Sequence, residues 1–299
     1  MDGVVAVDVG GTTIKAGRVD RAGRLSSPAT RPTPRCGPEG AEVIEAIVSV
    51  VGELSEGGPV PGVGVVVPGV VDDASGVAVW SENLGWRDVP MRAALSERLG
   101  VAVVVGHDVR AGGLAEHRVG ASRGSRSSAF VPIGTGIAAA LVLDGRMYAG
   151  DGFAGELGHL DVGHDLPCAC GGQGCLEAIA SAQAIARRFA SSSGVIVGGA
   201  SEVAELVRAG DAAAIAVWDG AVDALSRALA ALVGLVAPEV VVIGGGLAES
   251  ADLVIEPVAG RLNRRLTFQR APRLVSASLG AAAGCVGAGL LAWDLVEPR

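Results

Sequence analysis

Lysine is almost missing from this chain. Of its 24 basic residues, Lys15 is the single lysine and the rest are arginine. A GC-rich coding bias accounts for the replacement, and the place of Lys15 inside the first glycine-rich motif makes it a candidate for a role there. Aromatic residues are also scarce, at 3%. That argues against the stacking platforms on which single-stranded nucleic acids are held. Basic charge is in deficit, with a formal net charge of −8, which disfavours duplex DNA and anionic membrane as partners. No apolar run approaches a membrane span, and the opening MDGVVAVDVG lacks the basic start of a secretory leader. These absences lead us to expect a soluble, cytoplasmic protein without nucleic-acid or membrane partners. Cysteine is limited to five residues. An odd count with no sign of secretion argues against a disulfide framework.

Glycine and apolar residues are abundant, at 46 glycines and 49% apolar content. At 299 residues the chain is long enough for two domains, each with its own core. Three of the five cysteines fall in one short run, ELGHLDVGHDLPCACGGQGCLE, from Glu156 to Glu177. Cys168, Cys170 and Cys175 form a C-x-C-x4-C cluster, and His159 or His164 can supply a fourth ligand. Three thiolates and one imidazole suit a closed tetrahedral Zn²⁺ site. Gly171, Gly172 and Gly174 permit the tight turns that wrap one loop around an ion.

Val4–Val9 reads as a buried strand interrupted by Asp8. Gly10, Gly11, Thr12 and Thr13 turn it into a second strand, Ile14–Val19. Such a turn lets backbone N–H groups approach phosphate oxygens, and Asp8 at the strand end is placed for a hydrated Mg²⁺. The spacing is neither the dinucleotide fingerprint nor the P-loop. Helices are expected over Ala41–Leu54 and Met91–Leu99, and strands over Gly62–Val67 and Val101–Val105. His107 and Asp108 follow the last strand, and a helix from about Val109 to Val119 follows them. A carboxylate just beyond a buried strand lies where α/β folds place ligands. From position alone Asp108 reads as a helix cap.

Ser128–Ile133, the turn Gly134-Thr135-Gly136 and Ile137–Leu143 repeat the plan of residues 4–19. Helices are expected over Leu176–Ala190, Ser201–Ala209 and Asp211–Val236, the last broken at Gly220 and Gly234. Val240–Ile243 reads as a strand opening through Gly244, Gly245 and Gly246 toward a helix, a place where a ligand can approach the backbone. Arg273–Ser276 reads as a last strand, and Ala281–Trp293 as a final helix rich in alanine and glycine.

Glu156-x-Gly158-His159, followed by C-x-C-G-G-x-G-C-x-E, resembles the signature of the ROK family of repressors, open reading frames and kinases. PGVVD at 68–72 and ENLGW at 82–86 resemble that family's sugar-facing loops. Asp108, before a helix ending in Ala115, Glu116, Gly120 and Ala121, resembles its catalytic aspartate. The resemblance implies an α/β, two-domain, actin-like ATPase (hexokinase-like) fold with an interdomain active-site cleft. It implies a small domain over 1–120, completed by a helix at about 280–299, and a large domain over 121–279 carrying the zinc loop.

The implied activity is ATP-dependent phosphorylation of a hexose 6-hydroxyl. Glucose is the first expectation, with N-acetylglucosamine or N-acetylmannosamine as the rival. The implied catalytic residue is Asp108, with Gly69, Asn83, His107, Glu156, His159 and Glu177 about the sugar. Asp8, Gly10, Gly11, Thr12, Lys15, Gly134, Thr135, Gly136, Gly244, Gly245 and Gly246 are implied for Mg-ATP. His159 joins Cys168, Cys170 and Cys175 as the implied fourth zinc ligand, and family habit points to a homodimer. The family motif around the aspartate usually reads N-D-A-N or N-D-V-N, whereas this chain has His107 and Arg110, which bears on sugar preference. Another class is a non-catalytic sugar sensor. The ROK repressors proper add an N-terminal DNA-binding domain, for which a first strand at Val4 leaves no expected room.

Overall fold

The computed structural model describes residues 3–298. They divide into two compact units, one of residues 3–120, 149–154 and 281–298, the other of 121–148 and 155–280. No helix among the described residues is long and apolar enough to cross a membrane.

The first unit is built on strands β1 (Val4–Val9), β2 (Thr13–Val19), β3 (Leu25–Pro32), β4 (Gly62–Val67) and a strand at Ala102–His107. Their order in the sheet is β3-β2-β1-β4 and then Ala102–His107. The β1–β2–β3 part is antiparallel and the remainder parallel. Valine-rich β1 and β4 are buried on both faces, as parallel central strands covered by helices should be. One face packs on α1 (Ala41–Ser55) and α2 (Met91–Leu99), burying Ile47, Val51, Met91 and Leu95. The other packs on α3 (Asp108–Arg118) and the C-terminal helix Ala283–Val296, through Ala6, Val66, Ala111 and Ala288.

That second face is unusually tight. A Cβ on Gly64 would stand 1.9 Å from the Ala288 carbonyl oxygen, and one on Gly287 would stand 2.0 Å from that of Ala111. The Gly/Ala composition of the last helix therefore has a packing cause: only small residues let its backbone sit this close to its neighbours.

Between β4 and α2 the chain forms a separate antiparallel sheet of β5 (Val70–Asp72), β6 (Val77–Ser81) and β7 (Trp86–Val89). Taking the Ala102–His107 strand as β8, the second unit continues with β9 (Ser128–Pro132), β10 (Ala140–Leu143) and β11 (Arg146–Tyr148). Helices α4 (Leu176–Ala180), α5 (Ala182–Ser193), α6 (Ala200–Arg208) and α7 (Ala212–Val236) come next, then β12 (Val240–Gly244), α8 (Ala251–Arg265) and β13 (Arg273–Ser276). The second sheet has the order β11-β10-β9-β12-β13. Its antiparallel and parallel halves repeat the arrangement of the first.

Several local expectations change. Ile137–Leu143 is not a continuous strand. Ile133 and Ile137 form an isolated bridge, and the Ala139 N–H donates to the Gly155 carbonyl, so regular pairing starts at Ala140. The helix expected over Leu176–Ala190 is interrupted at Ser181, whose extended backbone ends α4 and whose hydroxyl caps α5 through the Ala184 N–H. Gly220 and Gly234 do not break α7, which runs through both. One glycine within a long packed helix costs about 1 kcal/mol, less than the burial of Trp218, Leu225 and Leu229 on the same helix returns. At Gly220 a Cβ would meet the Arg188 guanidinium at 3.0 Å, where Arg188 donates to the Val217 and Ile179 carbonyls.

Candidate active site

In the first unit, β1 delivers Asp8 to a turn whose backbone is tied back on itself. The Gly10 N–H donates to the Thr13 carbonyl at 2.9 Å, and the Thr33 N–H to the Thr12 carbonyl at 3.0 Å. The Thr33 hydroxyl donates to the Gly10 carbonyl at 2.6 Å. The brace leaves Gly11 and Thr12 exposed. Asn83 sits beside Gly11, where a Cβ would lie 3.5 Å from its own. Lys15, paired with Asp8 across the hairpin, donates to the Ala281 carbonyl at 3.2 Å. The Asp8 carboxyl rests on Gly284 in the first turn of the C-terminal helix, where a Cβ would come within 2.5 Å of Oδ2. Burial pushes Asp8 up to about 6, with the Lys15 ammonium acting against it.

Asp108 is not the cap of α3, as its position suggested, but its first residue. The cap is His107, whose Nδ1 accepts the Arg110 N–H at 3.4 Å. A ring nitrogen that accepts carries no proton, so the neutral imidazole bears its hydrogen on Nε2. Nε2 lies 3.4 Å from Asp108 Oδ1. Burial, and secondarily the Arg110 charge, hold His107 down to about 3, so the ring is neutral at physiological pH. Asp108 Oδ1 also accepts the Val109 N–H at 2.7 Å, which leaves Oδ2 as the unengaged oxygen.

The Asp108 side chain keeps 29% exposure although it lies deep among protein atoms. Burial first, and then the like charge of Asp8, raise it to about 7 against the lowering effects of the Val109 N–H and Arg110. A carboxyl poised near neutrality with one reachable oxygen is suited to take a proton from a hydroxyl. Gly69 lies at the turn into β5 with φ +101°, and a Cβ there would stand 2.1 Å from the Trp80 carbonyl oxygen, so the turn requires glycine.

In the second unit, the Gly134–Gly136 turn closes through the Gly134 N–H to the Gly136 carbonyl at 3.0 Å. It is anchored to α5 by the Ala182 N–H, which donates to the Gly134 carbonyl at 2.9 Å. Thr135 and Gly136 are exposed. Glu177 Oε2 accepts the Ile137 N–H at 2.9 Å, so one carboxylate oxygen is spent on the exit of this turn. Gly245, at φ +74°, approaches Ile133 so closely that a Cβ would lie 2.4 Å from its carbonyl oxygen. The Gly244–Gly246 run therefore stands beside the Gly134–Gly136 turn.

The cysteine loop folds back on itself. The ligand atoms of His159, Cys168, Cys170 and Cys175 all lie within 4.8 Å of one another. Cys168 Sγ is 3.8 Å from His159 Nδ1, and the Cys170 and Cys175 sulfurs are 3.7 Å apart. Donors about 2.3 Å from a tetrahedral centre stand roughly 3.7 Å from each other, so the donor set fits a metal ion. Burial and the neighbouring sulfurs push Cys175 up to about 12, a crowding of thiols that a divalent cation would relieve. His164 takes no part: its Nε2 pairs with the Cys175 carbonyl at 3.0 Å and its Nδ1 accepts the Leu166 N–H at 3.1 Å. His159 Nε2 lies 3.9 Å from Glu156 Oε2.

The residue pattern alone gave no hint of Thr33, Asp73 or Gly284. Thr33 follows a strand with no clean alternation. Asp73 and Gly284 acquire meaning only from partners 37 and 276 positions away, Arg110 and Asp8.

Comparison with known proteins accords with these motifs. The ROK family model matches residues 4–294. The chain is 34% identical to the glucokinase of Thermotoga maritima, with 95% of each chain aligned. The structure of the ROK hexokinase from Thermus thermophilus has a TM-score of 0.88 and 36% identity and covers all of both chains. A ROK family glucokinase from Streptomyces griseus, solved with glucose and AMPPNP, has a TM-score of 0.85 and 32% identity over 98% of this chain and 100% of its own. These likenesses place the two α/β units in the actin-like ATPase fold of the ROK sugar kinases. With its family model spanning nearly the whole length, and relatives above 30% identity along it, the chain belongs to the ROK family.

Proposed function

We propose that this protein is an ATP-dependent hexose kinase that phosphorylates the sugar 6-hydroxyl, with glucose as the first substrate. The observation that carries the reading is Asp108: a carboxyl at a strand end, raised to about 7, with Oδ1 bonded to the backbone and Oδ2 left for a hydroxyl. The similarity to glucokinases along nearly the whole chain supports the choice of sugar. In this reading Asp108 takes the hydroxyl proton, or orients the hydroxyl, as it attacks the γ-phosphorus in line. Exposed backbone at Gly11–Thr12 and at Thr135–Gly136, in turns shaped by Gly10 and Gly134, is what this chain offers to phosphate oxygens. Gly244–Gly246 borders the nucleoside, and Lys15 holds Asp8 ionised. Mg²⁺ carried with ATP offsets phosphate charge, and Asp8 is the carboxylate this chain offers it. Gly69, Asn83 and His107 of the first unit, and Glu156, His159 and Glu177 of the second, are the residues this reading assigns to the sugar.

His159, Cys168, Cys170 and Cys175 hold a structural Zn²⁺, supported by the donor set and its spacing. With Nδ1 given to the metal, the His159 ring would keep Nε2 toward Glu156, and the site would serve structure and not the chemistry. We further read the protein as a cytoplasmic homodimer with no nucleic-acid partner, a reading that rests on composition and family habit.

The test is ADP release from Mg-ATP across glucose, mannose, fructose, N-acetylglucosamine and N-acetylmannosamine. Turnover highest on glucose supports the proposal. Turnover confined to an N-acetylated sugar keeps the kinase and changes the substrate, and silence on every sugar with folded, metal-loaded protein favours a sensor.

A further inference from the structure

Arg110 is the second departure from the usual motif, and it is almost wholly buried, with its side chain 7% exposed. Its two terminal nitrogens bond to the small sheet and to Gly152 beside it, while Nε is buried without a partner among the described residues. Nη2 donates to both oxygens of Asp73, at 3.0 and 3.1 Å, and to the Val71 carbonyl at 3.3 Å, while Nη1 donates to the Gly152 carbonyl at 3.4 Å. Asp73 in turn lies over β8, with Oδ1 3.8 Å from where a Cβ on Gly106 would be. The Arg110 backbone N–H meanwhile caps α3 through His107. One residue thus joins the first turn of the helix that carries Asp108 to the β5–β6 turn. The same small sheet carries Asn83 in its β6–β7 turn.

We propose that Arg110 and Asp73 form a positioning clamp that fixes the Asn83-bearing sheet against Asp108, so that a sugar held by one meets the other in register. The proposal rests on the kinase reading above and adds to it a pair of residues that touch neither sugar nor nucleotide. The contact is charge-assisted and lopsided: Asp73 is half open to solvent while Arg110 is buried, so removing the carboxylate leaves a buried guanidinium without its counter-ion. The links to Val71 and Gly152 are backbone contacts, so the clamp acts on where the chain runs and not on one side chain. Its effect should fall on the sugar and spare the nucleotide.

Three variants test it: Asp73→Asn, at a position half open to solvent, Arg110→Met and Arg110→Lys. Glucose affinity is read by calorimetric titration, kcat and KM for glucose and ATP from ADP release, and amide hydrogen exchange over residues 69–81. We expect Asp73→Asn to weaken glucose binding and raise its KM about 3- to 10-fold. Arg110→Met should lower kcat/KM for glucose by roughly 10- to 100-fold. KM for ATP should stay within about twofold, and Arg110→Lys should recover part of the loss. Exchange over 69–81 should rise in both neutralised variants, and the double variant should be no worse than Arg110→Met alone, as expected of one shared contact.

Faster exchange with unchanged glucose affinity and KM would make the clamp merely structural and overturn the proposal, and unchanged exchange would overturn it as well. Wild-type protein that binds glucose without turnover defeats the kinase reading alone, because the affinity and exchange readouts still judge the clamp. Wild-type protein that binds another sugar of the panel in place of glucose is tested with that sugar in every readout, and wild-type protein that binds no sugar of the panel defeats both.

Discussion

Replacing Asp108 by asparagine should stabilise the protein at mildly alkaline pH while abolishing its proposed activity. An aspartate raised by burial from its ordinary 3.8 to about 7 in the fold holds its proton more tightly when folded. Between those values the folded state binds more protons than the unfolded, so the carboxyl's contribution to stability is complete below 3.8 and is lost as pH rises through 7. Asparagine keeps the shape without the charge and removes that loss. The full gap corresponds to roughly 4 kcal/mol at 1.36 kcal/mol per pKa unit. A side chain that keeps 29% exposure is partly solvated, which lowers the usable part of that figure. We therefore expect a gain of about 1–2 kcal/mol near pH 8, shrinking toward zero near pH 4. Urea unfolding of both proteins at the two pH values reads it directly. A variant less stable than wild type at the higher pH, or a gain equal at both, would refute the burial argument.

Other consequences follow from the same contacts. Gly284→Ala should displace the Asp8 carboxyl, because the new Cβ would come 2.5 Å from Oδ2 and the helix cannot retreat while Gly287 and Ala288 are wedged against α3 and β4. We expect kcat/KM to fall on the order of 10²-fold and the half-saturating Mg²⁺ concentration to rise. In α7, Gly234→Ala meets open space and should stabilise by roughly 0.5–1 kcal/mol, whereas Gly220→Ala presses on Arg188 and should not. Both are read from thermal and urea midpoints. Metal analysis of purified protein should find one zinc per chain. Cys175→Ser should lose the zinc and lower Tm by several degrees, whatever happens to turnover; full stability with no metal would remove zinc from the account.

Much of the framework was legible because buried strands and amphipathic helices carry their period in the local sequence. The apolar run Gly62–Val67, the helix Met91–Leu99 and the strand Arg273–Ser276 lie where that period places them. The β5–β6–β7 sheet was not visible, since its strands are three to five residues long and sit among turn residues. The local pattern also misjudged Gly220 and Gly234, where tertiary packing outweighs a modest intrinsic preference.

At the site, the glycine turns and the cysteine spacing could be read directly. Relations between distant residues could not. Nothing near Arg110 says that its charge is met by Asp73, and nothing near Gly284 says that a carboxyl rests on it. His107 shows the same limit: the sequence marks it as a departure, but only the Arg110 N–H on Nδ1 fixes which nitrogen carries the proton.

The central claim is that Asp108 serves phosphoryl transfer from ATP to a sugar hydroxyl. Phosphorus NMR of wild-type protein and Asp108→Asn, each incubated with Mg-ATP and glucose near neutral pH, tests it most directly. The account predicts a sugar 6-phosphate resonance growing with ADP in the wild type. It also predicts a rate at least about 10²-fold lower in the variant, the scale set by loss of a general base. A wild-type sample that forms no sugar phosphate, or a variant that forms it as fast, would contradict the account.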